Sequence, residues 1–363
     1  MKLIAQVKLD LTQEQHKSLL ATLEVVNDAA NYISERAWET KTFRQYDLHH
    51  LLYYDIRSRF KLTAQIVVRV LAKVADAYKV GRDSQRIFKR HGSTAYDKRI
   101  LSWRLADKTV SIWTTDGRLR LPFVTGEHQA ALLEHLVGEA DLVYRDGEFY
   151  LFQTCEVEEP PTDDPSEFLG IDLGIVNIAA DSDGLTYSGG KVNGLRKRHA
   201  KLRGKLQAKG TKASKRLLVK RSKKEQRFAT HVNHVISKSV VAKAKDSGQG
   251  IALEKLTGIR DRITVRRGQR RQHHSWAFNQ LRQFIEYKAK LVGVLVKLVD
   301  PRNTSRTCPE CNFVSKSNRK CQSLFSCVSC GYSAPADTVA ATNISRRALV
   351  NEPNFSPALS GAG

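Results

Sequence analysis

The 363-residue sequence lacks a long hydrophobic run and has few acidic residues for its number of basic ones. Its longer apolar segments, such as VGVLVKLV at 292–299, are too short to span a bilayer, which takes about 20 residues. The apolar run in the N-terminal MKLIAQVKLDLTQ is also too short for a signal peptide. No G-x-S-x-G, P-loop or H-E-x-x-H motif is present. We therefore expect a cytoplasmic protein with no membrane partner. The chemistry that these three motifs carry is not expected.

Positive charge is what the sequence has in excess. The chain carries 60 Lys and Arg against 37 Asp and Glu, a formal net charge of +23, while 41% hydrophobic residues suffice for folded cores. A charge of this size favours a polyanionic partner, nucleic acid rather than a membrane surface. Fifteen of the basic residues lie between 196 and 227, beside one acid, Glu225.

A dense basic run can be a solvated face, but like charges at helical spacing repel, which favours contact with phosphates. Such contacts give affinity without sequence preference. A second basic cluster follows Glu254. The predicted nucleic-acid contacts are Arg196, Lys197, Arg198, Lys201, Arg203, Lys220, Arg221, Lys223, Lys224, Arg266, Arg267, Arg270 and Arg271.

The first 160 residues combine β patterns with a helical segment. Alternating apolar and polar residues flank Asp116-Gly117 and Asp146-Gly147, and such pairs are typical of β-hairpin turns. We predict an antiparallel β-barrel or small sandwich from residues 1–10 and 96–160. The Pro-rich, acidic segment at 161–167 then reads as a linker.

Residues 11–95 are predicted to form a helical insertion in that β domain. Thr12 with Gln15 three residues later is a helix-capping signal, and apolar residues at helical spacing follow it. A second helical tract is predicted from about Leu48 to Val80. The apolar stripes of both tracts indicate core packing.

Three carboxylates stand in contexts that need explanation. Asp172 lies in the apolar strand GIDLG, Glu254 ends the apolar run GIALEKL, and Asp337 begins the helical segment DTVAATNISRRAL. Taken singly, they can be a solvated strand end, a surface residue and a helix N-cap. Together, in a chain of this charge, they favour a Mg²⁺ site, because hard cations take oxygen ligands and a buried carboxylate needs compensation.

Five of the six cysteines lie between residues 308 and 330. Four of them follow the spacing C-x2-C-x15-C-x2-C, which is typical of a structural zinc site with four thiolate ligands. Cys321 reads as a spare thiol, and Cys155 as a buried core residue. The predicted zinc ligands are Cys308, Cys311, Cys327 and Cys330.

The order GIDLG, GIALEKL, CPEC…CVSC and DTVAATNI resembles the OrfB/TnpB family of insertion-sequence proteins, RNA-guided nucleases related to the type V CRISPR effectors. The resemblance covers nearly the whole chain and implies an α/β multidomain fold. Its N-terminal part would be a wedge-like β-barrel with a helical recognition insertion. Its C-terminal part would be an RNase H-like (RuvC) nuclease domain, at 168–304 and 334–350, with a zinc ribbon inserted at 305–333.

The same resemblance implies that Asp172, Glu254 and Asp337 hold two Mg²⁺ ions, with Mn²⁺ as an alternative, and hydrolyse DNA phosphodiesters. It further implies a guide RNA derived from the transposon end and a target DNA with a short adjacent motif. The sequence does not give the oligomeric state, and we favour a monomer bound to RNA. One position departs from the usual D-x-N-A-A motif, because Val339 stands where Asn is common. A flexible tail is predicted at 351–363.

Two other functions fit the same residues. A transposase that cuts and joins element ends itself would share the fold and the acidic residues. A nucleic-acid-binding regulator that does not cleave would share the basic surface, but it would not need three carboxylates.

Overall fold

The computed structural model describes residues 1–162, 164–256 and 278–350. The chain divides into two compact units, residues 1–158 (the N-terminal unit) and 159–363 (the C-terminal unit). No helix in these described ranges has the length and apolar character needed to cross a bilayer. Outside the described residues lie the predicted tail at 351–363 and the predicted phosphate contacts Arg266, Arg267, Arg270 and Arg271.

A seven-stranded antiparallel sheet forms the centre of the N-terminal unit. Its strands are β1 (Lys2–Leu9), β2 (Thr94–Tyr96), β3 (Leu101–Arg104), β4 (Thr109–Thr114), β5 (Gly117–Val124), β6 (Leu136–Arg145) and β7 (Glu148–Glu156). They lie in the order β2-β6-β7-β1-β5-β4-β3. The first strand of the chain therefore sits between the two predicted hairpins. Because the two edge strands, β2 and β3, follow each other in sequence, the sheet comes near to closure, in agreement with the predicted barrel.

Three helices lie between β1 and β2: α1 (Gln13–Thr40), α2 (Gln45–Phe60) and α3 (Ala64–Val80). Thr12 and Gln15 form the predicted capping box, each side chain accepting from the other's backbone N–H. The continuous helix predicted from Leu48 to Val80 is wrong. Lys61 ends α2 with a left-handed φ of 51°, and the chain resumes as a helix at Ala64. A short helix, α4 (Glu127–Leu133), joins β5 to β6.

The C-terminal unit is built on a mixed five-stranded sheet. Its strands are β8 (Phe168–Asp172), β9 (Asn177–Asp181), β10 (Thr186–Ser188), β11 (Gly250–Glu254) and β12 (Val296–Val299), in the order β10-β9-β8-β11-β12. Strands β8, β9 and β10 pair antiparallel, whereas β8, β11 and β12 run parallel. The first four residues of both β8 and β11 are buried, which explains why both strands read as continuous apolar runs.

Helices flank this sheet and a small hairpin precedes the last of them. The helices are α5 (Gly190–Lys209), α6 (Lys212–Arg221), α7 (Lys224–Asp246), α8 (Phe278–Leu291) and α9 (Ala336–Leu349). The hairpin pairs β13 (Leu324–Ser326) with β14 (Ser333–Pro335), directly before α9. Its small core joins Phe325 to two of the cysteines and to the first turn of α9. The cysteine segment is thus physically attached to the helix that carries Asp337.

Candidate active site and cysteine cluster

Two carboxylates emerge from neighbouring parallel strands. In the register of β8 and β11, Ile171 lies opposite Leu253. Asp172 and Glu254 follow those two residues as the last of their strands, so they leave the sheet at the same edge, side by side. The four residues before each carboxylate are buried in the sheet, which is why they are apolar or glycine. The two carboxylates themselves are partly buried.

Helix α9 brings the third carboxylate to this edge. A Cβ added to Gly170 of β8 would lie 2.0 Å from the backbone oxygen of Ala341 and 2.6 Å from the nitrogen of Ser345. The Ser345 hydroxyl also donates to the Phe168 carbonyl at 2.5 Å. Only a glycine permits this contact between strand and helix backbones. It places the first turn of α9, which contains Asp337, beside the end of β8.

The three carboxylates interact electrostatically. Burial, followed by the charges of Glu254 and Asp337, raises the pKa of Asp172 to about 7, from an ordinary value of 3.8. Arg319 and the backbone N–H of Leu173 oppose that rise. Residues 165 positions apart in sequence therefore share one centre of negative charge, and like charges in a partly buried site disfavour full ionisation.

Three polar residues that the sequence did not single out contact these carboxylates. The Thr304 hydroxyl donates to Glu254 Oε1 at 2.6 Å, and it opposes the rise that burial causes in the pKa of Glu254. The Asn177 amide donates to Asp337 Oδ2 at 2.8 Å. An Arg319 guanidinium nitrogen lies 3.8 Å from Asp337 Oδ1. No sequence signal points to Thr304, Asn177 or Arg319, because each lies in a different structural element from the carboxylate that it contacts.

The donor set fits a hard divalent cation. All three groups are carboxylates, the ligands that Mg²⁺ takes in proteins, and their repulsion is what a bound cation would relieve. Within the described ranges, one group of potential metal ligands has all its ligand atoms within 4.8 Å of one another, and it consists of four cysteines. The oxygen atoms of the three carboxylates do not all lie within 4.8 Å of one another.

The four thiols of that group are the predicted Cys308, Cys311, Cys327 and Cys330. Sγ–Sγ distances are 3.6 Å for Cys308–Cys330 and for Cys311–Cys327. A tetrahedron with Zn–S bonds of about 2.3 Å has edges of about 3.8 Å, so the cluster could bind zinc. The remaining cysteine of this segment, Cys321, is exposed and outside the cluster, while Cys155 is fully buried in the N-terminal unit. Both readings of these two cysteines agree with the structure.

Replacing Cys308 by Ser is expected to remove zinc and to loosen α9, because Cys308 packs with Val339 and Ala336 of that helix. Zinc content by atomic absorption should fall from about one ion to none, and hydrogen exchange of α9 amides should accelerate. Cys321→Ser provides the matched control, since it alters a cysteine of the same segment outside the cluster. A Cys308→Ser protein with full zinc content and unchanged α9 protection would contradict this role.

Val339 lies in the small core between the cysteine segment and α9. It is 1% exposed and packs with Phe325 and the cysteine segment. It lies two positions after Asp337 along α9, which is about 200° around the helix axis. An apolar residue at this position extends the core between the cysteine segment and α9. The departure from the D-x-N-A-A motif therefore places an apolar side chain in this core.

The basic stretch forms α5, α6 and the start of α7. Its one acid, Glu225, lies 3.6 Å from Nε of Arg196 and 3.3 Å from a guanidinium nitrogen of Arg203, and so ties α5 to α7. The Arg196 side chain is only 11% exposed. Arg221 is partly buried, and the other predicted contacts that the structure describes are exposed: Lys197, Arg198, Lys201, Arg203, Lys220, Lys223 and Lys224. These exposed residues are accessible to a phosphate backbone, although Arg203 is also paired with Glu225.

Two segments of the chain match known protein families. Residues 152–257 match the OrfB_IS605 family, described as "Probable transposase", and residues 278–344 match the "Cas12f1-like, TNB domain" family. The first segment contains Asp172 and Glu254, and the second contains the four cysteines and Asp337. The resemblance to the OrfB/TnpB proteins and their type V relatives is thereby confirmed.

Individual relatives bear related names. The chain is 40% identical over 118 residues to the CRISPR-associated endodeoxyribonuclease Cas12f1 of Sulfoacidibacillus thermotolerans, covering 32% of this chain and 26% of that protein. It is 35% identical over 152 residues to the TnpB-like protein MJ0751 of Methanocaldococcus jannaschii, covering 42% and 54%. The matches thus span from about a quarter to about half of these relatives.

A solved structure shares the fold. The Cas12f1 chain in a cryo-EM structure of a Cas12f1-sgRNA-target DNA complex superposes with a TM-score of 0.63 at 16% identity. The alignment covers 92% of this chain and 83% of that one. At this level of identity the likeness concerns architecture, and it agrees with the predicted α/β multidomain fold.

Proposed function

We propose that the protein is a transposon-associated, RNA-guided DNA endonuclease with an RNase H-like (RuvC) nuclease domain. The observation that carries the proposal is the convergence of Asp172, Glu254 and Asp337 from two strands and a helix into one centre of negative charge. Relatives named as endodeoxyribonucleases and as a "Putative RNA-guided DNA endonuclease" support the reaction class.

In this proposal the three carboxylates hold two Mg²⁺ ions at the edge of the sheet. When bound, such ions activate a water molecule and stabilise the leaving 3′ oxygen of a phosphodiester. Asp172 and Glu254, rigidly held by parallel strands, orient the site, while Asp337 closes it from α9. Asn177 and Arg319 keep the Asp337 carboxylate in place. The cysteine cluster, with one zinc ion, supports the start of that helix.

Guide RNA and target DNA are the proposed partners, and sequence choice would come from base pairing between them. The test is to purify the protein expressed from its native locus and to sequence the RNA that remains bound. A discrete RNA with a constant body and a variable end allows matching DNA to be designed. Cleavage of that DNA with Mg²⁺, and none of a scrambled duplex, is the expected result. Absence of a specific RNA would refute guiding.

The family description "Probable transposase" favours one alternative, in which the protein itself cuts and joins element ends. The two functions differ in their products. An endonuclease leaves free DNA ends, whereas a transposase yields joined strands. Incubating the protein with labelled element ends and a target plasmid distinguishes them, and joined products would establish the alternative.

The exposed lysines of α5 are expected to contribute affinity for nucleic acid through phosphate contacts. Lys197, Lys201 and Lys205 share one face of the helix and are exposed. Changing all three to Ala should reduce the slope of log affinity against log salt concentration by about 2 to 3. Lys290→Ala is the control, because Lys290 pairs with Glu159 at 2.9 Å. An unchanged slope in the triple variant would exclude this face from binding.

A further inference from the structure

The turn that leads into the cysteine segment contacts Glu254. Thr304 is 3% exposed, and its hydroxyl lies 2.6 Å from Glu254 Oε1 and 3.1 Å from the carbonyl of Pro301. A hydroxyl has one hydrogen to donate, and a bond to an ionised carboxylate is shorter and stronger than one to a neutral carbonyl. In the described part of the chain, Thr304 is the one side chain that donates a hydrogen bond to the Glu254 carboxylate.

Asn343 holds the same turn from α9. It is 5% exposed, and its amide nitrogen donates to the carbonyls of Thr304, at 2.7 Å, and of Thr307, at 2.8 Å. Both amide hydrogens are thus used on the turn. Thr307 directly precedes Cys308, the first cysteine of the cluster. A continuous chain of hydrogen bonds therefore connects the helix of Asp337, the start of the cysteine segment and the Glu254 carboxylate.

We propose that Thr304 is a positioning residue for Glu254, and that Asn343 and the cysteine cluster act on Glu254 through it. The inference rests on the proposed function, since it concerns cation binding at the carboxylate centre. Without the Thr304 hydroxyl, the Glu254 side chain can rotate away from the edge of the sheet. With Oε1 held by Thr304, Oε2 would be the Glu254 oxygen available to a metal ion. Outer-shell partners of this kind typically change metal affinity or activity by about 10 to 100-fold.

Two variants at one position test the proposal. Thr304→Val keeps the shape of the side chain and removes the hydroxyl, whereas Thr304→Ser keeps the hydroxyl. Binding of Mn²⁺, measured by electron paramagnetic resonance on zinc-loaded protein, should weaken by about 10 to 100-fold in Thr304→Val and by less than about threefold in Thr304→Ser. Zinc content and affinity for nucleic acid should stay at wild-type levels in both. Equal weakening in the two variants would mean that the hydroxyl is not responsible.

Coupling through Thr304 is tested by a double-mutant cycle. Asn343→Leu removes both amide donors and should weaken Mn²⁺ binding by itself. If Asn343 acts through Thr304, the double variant Thr304→Val/Asn343→Leu should bind Mn²⁺ about as weakly as Thr304→Val alone. Multiplicative losses would show two independent effects and would overturn the coupling.

The outcomes separate this inference from the proposed function. Wild-type protein that binds no Mn²⁺, or whose binding survives Asp172→Ala, would contradict the carboxylate centre itself. Wild-type protein that loses Mn²⁺ on Asp172→Ala, while Thr304→Val binds as tightly as wild type, would overturn the role of Thr304 and leave the proposed function standing.

Discussion

Changing Asp172 to Asn is expected to abolish DNA cleavage and, in the same protein, to raise the melting temperature at pH 8 when Mg²⁺ is absent. Cleavage ends because the variant lacks one of the three carboxylates proposed to hold the metal ions. Stability rises because Asn has the shape of Asp without the charge that burial, Glu254 and Asp337 disfavour. A residue that only packs would lower both quantities.

The pH dependence follows from the direction in which the pKa moves on folding. The pKa of Asp172 in the folded protein, about 7, lies above the ordinary value of 3.8. The folded state therefore keeps this proton to higher pH than the unfolded state does. The stability gained from it is complete below about pH 4 and is lost as the pH rises through 7. At pH 8 the ionised group costs on the order of 2–4 kcal/mol, because a tenfold difference in proton affinity corresponds to about 1.4 kcal/mol.

The measurement is thermal unfolding of zinc-loaded protein, without other divalent ions, at pH 5.5 and pH 8, where cysteine thiolates can hold zinc. Asp172→Asn should exceed wild type by roughly 4–10 °C at pH 8, and the difference should be smaller at pH 5.5. Added Mg²⁺ should stabilise wild type and leave the variant unchanged. Asp246→Asn, an exposed carboxylate at the end of α7, serves as the control. A variant that melts below wild type at pH 8 would refute the electrostatic account.

The second large effect is expected from Gly170→Ala, a single added methyl group in β8. Its Cβ would lie 2.0 Å from the Ala341 oxygen and 2.6 Å from the Ser345 nitrogen, both backbone atoms of α9. Backbone cannot rotate aside as a side chain can, so the helix must move as a body. Asp337 is in the first turn of that helix and should move with it. A misplacement of about 1 Å can reduce catalysis about 100-fold, so the cleavage rate should fall by more than about 100-fold.

Overpacking of this kind also destabilises, by about 1–3 kcal/mol, and the melting temperature should fall. Gly204→Ala is the matched control, because a Cβ at Gly204 in α5 meets no atom within 4 Å. Alanine is favoured over glycine inside a helix by about 1 kcal/mol, so the control should melt slightly higher than wild type. Wild-type cleavage rates in Gly170→Ala would show that α9 does not set the position of Asp337.

The sequence predicted well where the signal was local. The two β-hairpins, the capping box at Thr12 and the spacing of the four cysteines each depend on neighbours within a few residues, and the structure contains all of them. The second hairpin turns at Asp146-Gly147 as predicted, whereas the first turns at Thr115-Asp116, one residue earlier than predicted. The helix break at Lys61 was missed. Phe60 and Leu62 continue the apolar pattern across it, and a left-handed lysine leaves no composition signal.

The role of Arg196 shows a different limit. Its place in a run of fifteen basic residues predicted a phosphate contact, like its neighbours Lys197 and Arg198. In the structure its side chain is mostly buried beside Glu225, the one acid of that run. Which basic residues are paired depends on how α5 and α7 pack, and charge density along the chain carries no information about that.

The sequence alone determined that the protein is a basic α/β protein with a cysteine spacing suited to zinc and three candidate metal-binding acids. Charge, cysteine spacing and strand patterns can be recognised within short segments of the chain.

Only the tertiary structure decided that those acids lie close together. Asp172 and Glu254 become neighbours through the register of two parallel strands, and Asp337 joins them because Gly170 lets a helix lie against the strand. Thr304 and Asn343 acquire their partners in the same way. Contacts between residues far apart in the chain arise from packing, which periodicity and spacing along the chain do not encode.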